Sequence, residues 1–149
     1  MQNLLSNIKA TKVFDSAAAS LVGQDGDVID MLGFEGVMFV LSLGTTVTSG
    51  ATITLLAAQN TTSSVVGMAE LDDEVTVTVG ASDAEKLIIL DLYRPAERYV
   101  RPEFEISDQT VEIDSIIAIQ YGAKKMPVTQ STAANGVLAS GTAVSPDEA

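Results

Sequence analysis

The sequence predicts an all-β protein, a β-sandwich or jelly roll of about eight short strands with extended terminal arms. From residue 35 onward the apolar residues recur at period two, the spacing of a strand with one buried face. Gly, Ser, Thr, Asn and Asp punctuate the chain at intervals of roughly 8 to 15 residues, as in sandwiches and barrels. Beyond residue 25 no stretch carries an apolar stripe at helical spacing; AEKLIIL has helix formers but no polar face.

Taken in order, residues 1–20 form an N-terminal arm, in which residues 11–20 are either extended or a short helix with Asp15 capping SAAAS. The sandwich domain covers residues 21–126. GVMFVLSL puts Val37, Phe39, Leu41 and Leu43 on one face and ends at Gly44. ATITLLA alternates Ile53, Leu55 and Ala57 against Thr52 and Thr54, and EVTVTV alternates Val75, Val77 and Val79 against threonines up to Gly80. LIILDLY, residues 87–93, is continuously apolar, as expected of a strand covered on both faces, in the core or beneath a neighbouring subunit. RYVRPEFEI turns Val100, Phe104 and Ile106 inward and Tyr99, Arg101, Glu103 and Glu105 outward, with Pro102 marking an edge or a bulge. VEIDSIIAIQY alternates Val111, Ile113, Ile117, Ile119 and Tyr121 against Glu112, Asp114, Ala118 and Gln120. Asp27–Met31 and Ser64–Ala69 are weaker candidates. Residues 127–149 are small and polar with few apolar anchors, and are expected to be a flexible C-terminal arm unless a neighbouring surface orders them.

Composition narrows the function. A chain of 149 residues fits one domain that buries roughly 70% of its unfolded surface without staples. It has no Cys, His or Trp, so thiol chemistry, disulfides, imidazole bases and most zinc or iron sites have no residues to use. The expectation is a non-enzymatic protein with no cofactor and no metal. With 20 acidic against 8 basic residues, a net charge of -12 repels nucleic acid and anionic membrane surfaces. The N-terminus shows no signal-peptide or membrane-span pattern, so synthesis in the cytoplasm as a soluble chain is expected. The mean hydropathy is high for so acidic a chain, which suggests that a partner covers surface the fold leaves bare.

Two acidic runs invite a metal reading. Asp25, Asp27 and Asp30 space their carboxylates somewhat like a calcium loop, but residue 36, where such a loop needs its bidentate Glu, is Gly. Asp72, Asp73 and Glu74 read as a solvated loop. A different kind of cluster is RPAERYVRPEF, which holds every arginine of the chain, Arg94, Arg98 and Arg101. Either Arg98 and Arg101 pair with Glu103, Glu105, Glu112 or Asp114 of their own sheet, or the outward face is a docking surface, since Arg and Tyr are enriched at interface hot spots.

GFEGVMFVLSLG, an LAAQ strand, RYVRPEF and IDSIIAIQYGAKKMPV, within residues 20–128, together resemble the β-sandwich head proteins of tailed bacteriophages. That resemblance implies a capsid decoration, or cement, protein on the outer capsid surface of the virion. It would be made in the host cytoplasm, bind the major capsid protein as a homo-trimer and clamp neighbouring capsomers. Tyr99 and Arg101 would then lie at a subunit or capsid interface, with Arg94 and Arg98 in the approach loop. The alternatives are another phage head or tail structural protein, or a carbohydrate- or calcium-binding β-sandwich module.

Overall fold

In the computed structural model, which describes residues 3–142, the period-two segments become strands. The strands are β1 (Lys9–Phe14), β2 (Ala17–Ser20), β3 (Gln24–Asp25), β4 (Ile29–Asp30), β5 (Gly36–Val47), β6 (Thr52–Asn60), β7 (Ala69–Glu70), β8 (Val75–Thr78), β9 (Leu87–Tyr93), β10 (Tyr99–Ser107) and β11 (Val111–Tyr121). A 3₁₀ turn, Leu4–Ser6, precedes them, with Asn3 capping it through the Ser6 amide. The front sheet has five strands in the order β1-β11-β5-β9, with β2 also on β11. The back sheet has six, in the order β3-β10-β6-β7, with β4 on β10 and β8 on β6. The two antiparallel sheets pack face to face as a β-sandwich, the architecture that alternating apolar faces require.

The predicted inward residues fill the space between them. Val37, Phe39, Leu41 and Leu43 of β5 are buried, as are Ile53, Leu55 and Ala57 of β6 and Val100, Phe104 and Ile106 of β10. Each large aliphatic or aromatic side chain so covered contributes about 1.5–3 kcal/mol over its exposed state. Phe14 closes one end, its ring edge-on to Phe104 with centroids 5.1 Å apart.

Several expectations need correction. The strands number eleven among the described residues, not about eight, and β5 and β11 are twelve and eleven residues long. Gly44 does not end β5: the Glu112 side chain lies over it and accepts from the Thr46 amide at 2.9 Å, so the strand continues to Val47. Residues 9–14 and 17–20 are neither a helix nor a free arm, because β1 and β2 pair with β11 and Val13 is buried in the core.

The predicted C-terminal arm falls partly outside the described residues, which end at 142. Within them it has no regular structure but runs along the outer edge of β1. The Gln130 carboxamide accepts from the Ala10 amide at 3.1 Å and donates to the Ile8 carbonyl at 2.7 Å, standing in for a peptide group of a neighbouring strand. Lys12 N donates to the Asn135 carbonyl at 2.9 Å. The surface that orders this segment belongs to the chain itself.

The largest departure is in β11. Its pairing with β5 slips between Ile113 and Ser115, leaving Asp114 as an extra residue. One inserted residue reverses the facing of everything after it. Ile116, Ala118 and Gln120 therefore point into the core, and Ile117, Ile119 and Tyr121 turn outward, opposite to simple alternation. Gln120 satisfies its buried amide by donating to the Asp30 carbonyl at 2.8 Å.

Candidate docking surfaces

The structure divides the arginine cluster. Arg101 lies on the outer face of the back sheet with only 14% of its side chain exposed, and its guanidinium meets Glu103 at 2.6 Å and Asp25 at 3.0 Å. Glu103 is itself buried. Arg101 and Glu103 are two positions apart on β10 and so share a face, while Asp25 arrives from β3, paired beside Glu103. For Arg101 the intramolecular alternative describes the contacts, although Glu112 and Asp114, named as possible partners, sit on the front sheet.

Pro102 explains why Asp25 and Asp30 can approach from separate short strands. Its carbonyl accepts from the Gly26 amide at 2.8 Å, so its nitrogen also faces away from β6, and the missing donor costs the β6–β10 ladder nothing. Opposite it the neighbouring chain breaks, leaving β3 on Glu103 and Phe104 and β4 on Tyr99 and Val100.

Arg98 forms a two-pronged pair with Asp30, Nε to Oδ1 at 2.8 Å and Nη2 to Oδ2 at 2.7 Å, and its guanidinium carbon lies 5.0 Å from the half-buried Tyr99 ring centre. The Arg98 hydrogen bond holds the Asp30 carboxyl below the usual carboxylate range. Asp27 accepts from the Asn135 amide at 3.0 Å. The three carboxylates of the acidic turn thus meet three different partners, and among the described residues no three acidic side chains converge.

Arg94 is the arginine left available. It follows β9 in a left-handed conformation, φ 54°, with its amide donating to the Glu35 carbonyl at 2.8 Å. Its guanidinium carbon stands 5.1 Å from the Tyr93 ring centre, and among the described residues it reaches no carboxylate within ion-pair distance. With Arg98, Lys124, Glu35, Met31 and Phe34 it borders an open cleft of about 560 Å³. So the structure brings Arg94 and Arg98 to one cleft, puts Tyr99 beside it, and leaves Arg101 out.

A second surface escaped the sequence reading. On the outer face of the front sheet, Ile89 of β9 lies opposite Val40 of β5, and Val40 opposite Ile117 of β11. The next row is Asp91, Met38 and Ile119. Leu87, Ile89, Tyr93 and Ile117 are each at least 40% exposed. LIILDLY is therefore covered on one face only: Ile88 and Leu90 are buried while its odd positions face outward. Apolar residues at both parities in VMFV and LIIL were the visible signal, but the facing of Ile117 depended on the bulge.

Tyr121 fastens this face at one end. Its ring crosses over Gly36, where a side chain would collide with it, and its hydroxyl donates to Asp91 at 2.7 Å. Desolvation, followed by the Asp91 bond, pushes the Tyr121 hydroxyl up to about 12. The one acid in the middle of the apolar face is thereby held by a neighbour.

No protein-family model matches the chain, and no curated protein matches it.

Proposed function

We propose that the protein is a non-enzymatic structural component of a virion that binds the outer surface of a phage capsid and stabilises it, with the major capsid protein as its partner. The observation that carries this reading is the outward apolar row Ile89–Val40–Ile117, on a chain whose net charge of -12 would otherwise keep it dispersed. Contiguous exposed apolar surface of this kind marks an interaction site. The Arg94 cleft beside it offers a guanidinium to a partner carboxylate or carbonyl, as interface arginines do. The resemblance of residues 20–128 to phage head proteins supplies the identity of the partner. The calcium-binding alternative finds no such support, because Arg101, Asn135 and Arg98 already engage the carboxylates of the acidic turn.

The test is co-sedimentation of the purified chain with undecorated heads of tailed phages. Wild-type protein is expected to pellet with the heads and raise the temperature at which they release DNA. Val40→Glu combined with Ile117→Glu is expected to weaken binding at least about tenfold, a loss of roughly 1.4 kcal/mol. Absence of co-sedimentation with unchanged heat resistance contradicts the reading.

A further inference from the structure

Strand edges are where sheet proteins meet other chains, and this sandwich protects its edges unequally. The β1 edge is capped by Gln130 and Asn135. The back sheet ends on strands of two to four residues, β3, β4, β7 and β8. The β9 edge is different: seven residues in unbroken register with β5, no proline, no lysine or arginine, and one acid that Tyr121 holds.

Backbone direction shows what this edge offers. The Lys86 carbonyl accepts from the Leu43 amide at 2.9 Å, and the Arg94 amide donates to the Glu35 carbonyl at 2.8 Å, so even-numbered positions address β5. In an antiparallel strand the odd positions must then address the other side. The N–H and C=O groups of Leu87, Ile89, Asp91 and Tyr93 point outward, and no turn or loop among the described residues supplies them with partners.

We propose that β9 pairs antiparallel with β9 of a second copy of this chain across a two-fold axis. Head-to-tail rings need two different complementary surfaces, whereas the only long bare edge among the described residues is β9, which can match itself. The register with Ile89 opposite the second copy's Ile89 sets Ile88 against Leu90 and Leu87 against Asp91. Pairing ends there, because Glu85, at φ 61°, has turned its amide to the Gly44 carbonyl. No carboxylate faces a carboxylate. The two front sheets become one, with their outer faces on the same side, so the rows Ile89–Val40–Ile117 meet at the axis and double the apolar surface. This contact gives a dimer in place of the trimer that the resemblance implies, and it does not depend on the capsid reading.

Sedimentation velocity on the full chain, from micromolar to submillimolar concentration, tests the proposal without any capsid. The mass is expected to rise reversibly to that of two chains. Ile89→Lys puts like charges at the axis, and Ile89→Pro removes an N–H that only a partner uses; both are expected to stay monomeric with unchanged circular dichroism. Amide exchange on the wild type reads the same contact without a substitution, slow at Leu87, Ile89 and Asp91 in concentrated protein and fast on dilution. A monomer at every concentration, an oligomer that both folded variants leave intact, or fast exchange at these amides throughout overturns it.

Discussion

Arg101 shows how a residue chosen for docking can serve the fold. Its charge is balanced by the nearly buried Glu103 and the half-exposed Asp25, so replacing it strands two carboxylates beside each other. Arg101→Glu is expected to cost about 3–5 kcal/mol, read by urea denaturation of the isolated protein. Normal stability combined with a defect only in assembly would contradict this placement. Tyr121 makes a prediction at the alkaline end. Its hydroxyl is raised from the usual value near 10 to about 12, so the protonated form is the one the fold favours. Its contribution is complete below about pH 10 and disappears as pH rises through about 12, and Tyr121→Phe should flatten that part of the melting-temperature profile. At the acid end, Asp30 has the opposite sign: its stabilisation is present above the usual carboxylate range and lost as pH falls through its depressed value.

At the scale of elements, the strands with one clean alternation were legible because burial on one side writes directly into period two. Val37 to Leu43, Ile53 to Ala57, and Val100 with Phe104 and Ile106 all face as expected. The facing of β11 was not legible, since VEIDSIIAIQY keeps an apolar residue at most positions and only pairing with β5 reveals the extra Asp114. Deleting Asp114 would remove the bulge and leave Ile113 and Ile116 two positions apart, both inward, so cooperative thermal unfolding is expected to persist, whereas Ile116→Ala is expected to cost about 2–5 kcal/mol. The arms were misread for a related reason. KATKVF has a single buried anchor, Val13, and the order of residues 128–137 rests on polar contacts such as those of Gln130, which composition does not distinguish from solvation. Gln130→Ala is expected to cost about 1 kcal/mol and to speed amide exchange at Ala10. Of the proposed site residues, Arg94 and Arg98 do border one cleft, but the apolar face beside it depends on register, which lies beyond single-strand periodicity.

At the scale of the molecule, the two sheets leave, among the described residues, one long open edge and one apolar outer face, both on β9 and its neighbours. In the proposed role the edge joins copies and the face meets the partner's surface. Calcium is expected to leave the melting temperature unchanged, because Asp25 and Asp30 are already paired with arginines and Asp27 with an amide; a rise of several degrees would favour a cation-binding module. The most direct measurement is cryo-electron microscopy of undecorated tailed-phage heads incubated with the purified protein. Added density on the outer surface, with the front sheet turned toward the capsid and Ile117 and Val40 at the contact, is the expected result. Heads that carry no added density at saturating protein, or density attached through the back sheet, would contradict the account.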